Sequence, residues 1–259
     1  MLRTHLESEF AYDVRHAFDE ASAGYDDYAS LQKDIAQKLC RLVGKIEEHQ
    51  SVLDVGCGTG IVGNTIGRKC CLYQLDVSEK MCCIAREKNK AVLTVNGNMN
   101  YMPFRNEFFT AVISSMAMHW VEDISRAFKS IIRISKKEGR GIFVSIPVEG
   151  TFKELLGCYE MLGMNSKHEF YSVSAIEEML SNLGVKITYV ECEQRTTEHR
   201  TFFEFVNVLR KTGSHVPRTS AKVDGDESIK KVSSLYRSVF SNQSKIVSSW
   251  NIAYFVIKR

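Results

Sequence analysis

The stretch Val52-Leu53-Asp54-Val55-Gly56-Cys57-Gly58-Thr59-Gly60 carries an apolar strand directly into a glycine turn and then a helix. Glycines lack Cβ atoms, so they permit a sharp turn and let a ligand lie against the backbone, while the helix that follows offers unpaired N–H groups to an anion. Gly56, Cys57, Gly58 and Gly60 are therefore candidate ligand contacts. The turn alone does not name the ligand, because Gly58-Thr59-Gly60-Ile61-Val62-Gly63 also satisfies the dinucleotide fingerprint G-x-G-x-x-G. Asp54 weighs against a dinucleotide: a carboxylate beside this turn repels a pyrophosphate and attracts a sulfonium or ammonium group. Downstream, Leu75-Asp76-Val77-Ser78 closes the second apolar run, and Asp76 can take both hydroxyls of a ribose in a bidentate hydrogen bond, which suits either ligand. The third run leads into Gly97-Asn98-Met99-Asn100-Tyr101-Met102-Pro103-Phe104. This places an amide and thioethers where an adenine would lie, with Asn98 able to accept from the adenine amino group.

Such residues need a scaffold that brings strand ends together. From about residue 32 onward, short apolar runs alternate with helical periodicity, the rhythm of a parallel sheet. Strands are predicted at 51–55, 71–75, 91–95, 111–115, 141–146, 186–192 and 252–257, and helices at 32–46, 60–67, 79–88, 124–134 and 175–183. Ser174 and Glu177 form a predicted capping box for the last helix. The predicted fold class is a doubly wound α/β domain with a seven-stranded, mostly parallel sheet. Residues 152–170 and 196–245 break the alternation, and Phe202, Phe203, Phe205, Val208 and Leu209 suggest an amphipathic helix there. These two stretches are expected to form a helical cap over the ligand edge of the sheet. The organisation is thus an N-terminal lid segment 1–31 that can fold over the cofactor, a cofactor core 32–147, and a part 148–259 that completes the sheet and carries the cap.

Taken together, Asp54, the glycines, Asp76 and Asn98 resemble the class I, Rossmann-like methyltransferase pattern over roughly residues 30–147, with Asn98 standing where many members carry Asp. The likeness extends further. Phe18-Asp19-Glu20-Ala21-Ser22-Ala23-Gly24-Tyr25-Asp26, with Ala29-Ser30-Leu31-Gln32, is similar to the N-terminal signature of the malonyl-acyl carrier protein O-methyltransferases of biotin synthesis. Ser114-Ser115-Met116-Ala117-Met118-His119-Trp120 resembles their segment after the fourth strand, and Gly150-Thr151-Phe152-Lys153-Glu154-Leu155 and Leu209-Arg210-Lys211-Thr212-Gly213 resemble their cap segments. Two departures touch the cap: Lys167-His168-Glu169-Phe170 is a shortened version of a His-containing stretch, and Ser214 replaces the usual Ala.

The resemblance implies S-adenosylmethionine as cofactor, held by Asp54, Gly56, Cys57, Gly58, Gly60, Asp76, Val77, Met81, Asn98, Met99, Ser114 and Met116. It also implies methylation of a malonyl carboxylate on an acyl carrier protein. A carboxylate with a pKa near ~4 is already ionised at neutral pH and needs no general base. Tyr25 is the candidate for closing the site and orienting the acceptor. His119 beside Trp120 reads as a packed histidine and not as a base. Other readings remain open at this stage: a quinone-ring C-methylating enzyme, which would need a base; a relative of the respiratory complex I assembly factors; and a non-catalytic scaffold that binds the same cofactor.

Composition bounds the remaining classes. A chain of 259 residues with 44% hydrophobic content can bury the core of one large domain. No run approaches the ~20 apolar residues that span a bilayer. The N-terminal Met1-Leu2-Arg3-Thr4-His5 does not open a signal peptide, and the eight cysteines show no metal-ligand spacing. A reduced, cytoplasmic, metal-free monomer that is not associated with membranes is expected. The net charge of +3 is uneven: residues 199–259 hold eleven Lys/Arg against four Asp/Glu. This surplus suits an acidic carrier, with Arg200, Arg210, Lys211, Arg218, Lys230 and Lys231 as candidate contacts. Nucleic acid is not expected, as the sequence carries no recognisable binding module for it.

Overall fold

The computed structural model describes residues 8–67, 70–164, 170–214, 225–242 and 245–259. Eight strands form one sheet: β1 Ser51–Val55, β2 Cys71–Asp76, β3 Leu93–Asn96, β4 Ala111–Ser115, β5 Gly141–Pro147, β6 Lys186–His199, β7 Ser241–Asn242 and β8 Lys245–Lys258. Their order is β3-β2-β1-β4-β5-β8-β6, with β7 pairing only to β8. Strands β1 to β5 are mutually parallel, and β8 runs antiparallel to both of its long neighbours. The seven predicted strands are all present, so the doubly wound, mostly parallel α/β sheet stands. Three corrections concern its far edge. β6 runs on to His199 and β8 begins at Lys245, so both ends of the stretch 196–245 are sheet and not cap. Each strand of this long ribbon saturates the other's backbone over thirteen paired positions, which stabilises it without a continuous apolar pattern. The short β7 is an addition.

Helices cover both faces. On one lie α3 Ser30–Val43, α4 Ile61–Ile66, α7 Lys153–Met161, α9 Phe202–Lys211 and α10 Gly225–Phe240; on the other lie α6 Ile124–Ile134 and α8 Val173–Asn182. The alternation of β1 decides which face each side chain joins: Val52 packs with the α3 side, while Leu53 and Val55 pack with α6. Helix α6 shows why the sequence folds as it does. Asp123 accepts from the Arg126 N–H at 2.9 Å to start the helix, and Ile124, Ala127, Phe128, Ile131 and Ile134 form its buried stripe. Each fully buried side chain of this size contributes roughly 1.5–3 kcal/mol. At α8 the cap is Ser172, whose hydroxyl accepts from the Ala175 N–H at 3.1 Å, and not the predicted Ser174, whose own hydroxyl meets Ser172 at 3.0 Å. Two serines at i and i+2 leave the choice to the local chain path.

The stretches 152–170 and 196–245 contribute α7, α9 and α10: α10 packs on both α7 and α9, α7 and α10 pack on β8, and α9 packs on β6. Phe152, Phe202, Phe205, Tyr236 and Trp250 form their aromatic core, with the Phe152 and Trp250 ring centres 4.4 Å apart. Residues 167–169 lie outside the described residues. Ahead of the sheet, the segment that the sequence reading left without elements forms α1 Glu9–Ala21 and the single turn α2 Tyr25–Tyr28. Helix α1 packs against α5 Glu79–Asn89, and both α1 and α2 touch α9. No helix of the described residues is long and apolar enough to cross a membrane.

Candidate active site

A cavity opens at the carboxyl ends of the strands, where β1 and β4 lie side by side but lead to opposite directions in the strand order, the usual ligand crevice of an open α/β sheet. Its floor is the glycine turn after β1. Gly56 and Gly58 have φ of +71° and +52°, and Gly60 caps α4 with φ +87°. Their roles differ. A Cβ on Gly56 would fall 2.2 Å from the Ala117 Cβ, and one on Gly60 would fall 2.1 Å from Asn89 Nδ2, whereas a Cβ on Gly58 would meet only open space. The first two close the turn against the fold, and the third leaves the backbone bare toward the cavity.

At the end of β2, Asp76 Oδ2 accepts from the Gly58 N–H at 2.8 Å and Oδ1 accepts from the Ser78 N–H at 2.9 Å. Asp76 lines the cavity, and a carboxylate oxygen that accepts one hydrogen bond has capacity for another, as a bidentate contact to two ribose hydroxyls requires. Burial raises the Asp76 carboxyl to about 6, although its backbone hydrogen bonds pull the other way. After β3, Asn98 turns its side-chain oxygen to the Asn100 N–H at 2.8 Å, so one of its acceptor sites is spent on its own turn. Met99 and Met116 complete the wall beside it.

Of the residues singled out in the sequence, Tyr25, Gly56, Cys57, Gly58, Asp76, Val77, Asn98, Met99 and Met116 line the cavity together. Asp54, Gly60, Met81 and Ser114 stand behind the wall. Asp54 faces the α4 side of the sheet, 1% exposed, with neither oxygen in hydrogen-bond geometry. Burial and then the Asp76 charge push its carboxyl up to about 8, while nearby Gln74 and the Gly63 N–H temper the rise. Met81 is buried within α5, and the Ser114 hydroxyl donates to the Val55 carbonyl at 3.0 Å. Arg200, Arg210, Lys211, Lys230 and Lys231 are exposed on or beside α9 and α10 and away from the cavity wall, and Arg218 lies outside the described residues.

The roof comes from the N-terminal segment read as a lid, of which the sequence had singled out Tyr25 but none of the α1 residues. Ala11, Val14 and Phe18 of α1, at i, i+3 and i+7, face the cavity, and Phe18 meets Trp120 edge-on at 5.7 Å. That spacing is the helical signal that could have found them. The expected cap helices supply no wall residue; α9 instead backs the N-terminal helices that do. Tyr25 joins this roof. Its phenol has no hydrogen-bond partner among the described residues, and burial, followed by the Asp76 and Asp26 charges, raises it well above the ordinary phenol range. His119 is not part of the wall.

Residues 53–143 match the family model described as a methyltransferase domain. The chain carries a methyltransferase domain. It is similar along nearly its whole length to the malonyl-[acyl-carrier protein] O-methyltransferase of Geobacter sulfurreducens, 24% identical over 95% of this chain and 98% of the relative. The human mitochondrial arginine-hydroxylase is also 24% identical, over 88% of this chain and 69% of its own. Among solved structures, geranyl diphosphate C-methyltransferase from Streptomyces coelicolor, in complex with Mg2+, geranyl diphosphate and S-adenosyl-L-homocysteine, aligns with a TM-score of 0.60 at 12% identity. That alignment covers 97% of this chain and 99% of the other, and it establishes the shared class I methyltransferase fold.

Proposed function

We propose that the methyltransferase domain uses S-adenosylmethionine to esterify the free carboxylate of a malonyl group carried on an acyl carrier protein, an early step of biotin synthesis. The observation that carries the cofactor half is Asp76, buried at the β2 end with both oxygens anchored by backbone N–H groups and one side still open to the cavity. Gly58 adds a bare backbone for close approach. When bound, S-adenosylmethionine supplies an electrophilic methyl group on a positively charged sulfur. The protein has to align an acceptor oxygen with that methyl and exclude water, which the α1–α2 roof does.

The wall fits an acceptor that arrives ionised. Its titratable side chains among the described residues are Tyr25, Cys57, Asp76 and Glu122. Tyr25 and Cys57 are held protonated, Asp76 is engaged by backbone, and Glu122 is exposed to water. A neutral carbon or nitrogen acceptor would call for a base within reach of its proton. Tyr25 is proposed to orient the acceptor, donating its unpartnered hydroxyl to the carboxylate. Asp54, its carboxyl raised to about 8 and so mainly protonated at neutral pH, is proposed together with Met81 and Ser114 to support the wall from behind.

A pH dependence follows from Asp76. Its folded value lies above the ordinary 3.8, so between about 4 and about 6 the free protein binds more protons than the unfolded chain and this group's contribution to stability falls as pH rises. A cationic ligand favours the ionised form, so S-adenosylmethionine affinity changes the opposite way. Calorimetry is expected to show binding roughly tenfold weaker at pH 5 than at pH 7, with proton release in the acidic range. Asp76→Asn removes that dependence.

The carrier is proposed to dock on the exposed basic surface of α9 and α10, with the enzyme acting as a cytoplasmic monomer. Reversing Arg210 and Lys211 to Glu is expected to raise KM for malonyl-carrier protein roughly threefold to tenfold with little change in kcat. The effect fades as salt rises. Malonyl-coenzyme A is the control: equal loss on both substrates rejects the docking surface. The reading as a whole is tested by offering labelled cofactor to a panel of malonyl thioesters, quinones and arginine peptides. Transfer to a quinone or an arginine peptide and to no malonyl thioester would replace it.

A further inference from the structure

The segment that roofs the cavity is held by side chains from the cofactor half. Helix α2 is only four residues long, follows Gly24, and has no side-chain cap. One turn of helix fixes its backbone at a net cost and cannot keep its own shape. Asp26, the second residue of α2, supplies what the turn lacks. Its Oδ1 accepts from the Thr59 hydroxyl of the glycine turn at 2.6 Å, its Oδ2 pairs with Lys88 of α5, and its carbonyl accepts from Lys33 Nζ of α3 at 2.7 Å. Thr59 is buried and Asp26 half-buried, so the bond between them is partly shielded from water. Three elements that are separate in sequence converge on one residue, and the residue before it is Tyr25.

A second tie runs parallel. Asp19 Oδ1 accepts from the Ser78 hydroxyl at 2.5 Å, at the very residue that caps α5 and follows Val77 of the wall. Burial would raise the Asp26 carboxyl, but the hydrogen bonds from Lys88 and Thr59 and the charges of Lys88 and Lys33 outweigh it and keep the group ionised below its ordinary value.

We propose that Asp26 is a positioning residue: by gripping Thr59 and Lys88 together, it locks the α2 turn onto the glycine turn and so fixes Tyr25 in the roof over the reacting end of the cavity. This rests on the reading of Tyr25 as the residue that orients the acceptor. Asp26 touches neither cofactor nor acceptor in this role; it acts through Tyr25. Lys88 and Thr59 are its partners, and when Asp26 is replaced the Asp19–Ser78 bond still keeps α1 in place, so that α2 alone is released.

Hydrogen exchange on the cofactor-free enzyme tests the grip without turnover. Asp26→Ala should speed exchange of the amides in residues 22–30 roughly tenfold or more and leave α6 and the sheet unchanged. With malonyl-carrier protein, the same variant should lose roughly tenfold to hundredfold in kcat, the scale of an ångström-sized misplacement. KM and S-adenosylhomocysteine affinity should move less than threefold, and Asp26→Glu should recover most of the lost kcat. Wild-type exchange in residues 22–30 overturns the proposal, as does a loss that falls on cofactor affinity and not on kcat. If the wild type esterifies no malonyl thioester, the substrate reading fails by itself, and the exchange result still decides the grip on α2.

Discussion

Gly56→Ala is expected to damage both folding and cofactor binding severely. The residue sits at φ +71°, where an L side chain costs about 1–2 kcal/mol, and the new Cβ would overlap the Ala117 Cβ at 2.2 Å. Forcing a methyl into a packed contact adds about 1–3 kcal/mol, and Ala117 has little freedom, being buried one residue after Met116, itself at φ +53°. Folding stability should therefore fall by roughly 2–5 kcal/mol. Because Gly56 and Cys57 both donate to the Leu75 carbonyl, any shift of the turn also moves the end of β2. Cofactor binding should be lost together with the stability, as seen in a lowered urea midpoint and no calorimetric response. Gly58→Ala is the contrast. Its Cβ meets nothing in the fold, so it should retain more stability than Gly56→Ala while still obstructing the ligand.

Asp76→Ala is expected to weaken S-adenosylmethionine by roughly 1.5–3 kcal/mol, the range for hydrogen bonds to a charged group. The change also strands the Gly58 and Ser78 N–H groups, so some loss of stability accompanies it. Asp76→Asn separates the two effects, since its amide oxygen still accepts from one of those donors while the charge is gone. The affinity loss should be measured by calorimetry with both the cofactor and its demethylated product. An unchanged affinity would mean that Asp76 serves only the turn. Nicotinamide dinucleotides should give no response with either the variant or the wild type.

The parallel half of the sheet and the cavity floor were readable from the chain because both rest on local signals. Apolar runs ending in Gly56, Asp76, Asn98 and Met116 mark four strand ends, and a parallel sheet brings such ends to one edge. What was not readable depends on long-range partners. The length of β6 and β8 is set by their pairing with each other, and the alternating exposed residues of β6 resemble a cap as much as a ribbon. Asp54 looked like a wall residue because it adjoins the glycines, but strand alternation turns it to the α4 face with Val52. The α1 side of the roof was hidden for a different reason. Residues 8–28 contain short helices whose apolar side chains, such as Val14 and Phe18, find partners far away in sequence: Trp120, and the helices α5 and α9. Thr59 reads as filler inside a glycine motif until Asp26 is seen to reach it.

The central claim is that the cavity serves methylation of an ionised carboxylate. The most direct test incubates malonyl-carrier protein with the enzyme and methyl-labelled S-adenosylmethionine, and follows the intact carrier by mass spectrometry, with fragmentation to locate the added mass. The account predicts a single added methyl located on the malonyl group, and no gain on a carrier whose acyl group ends in a methyl instead of a carboxylate. Methyl transfer to that carboxylate-free carrier, or no ester on the malonyl carrier despite confirmed cofactor binding, would contradict it.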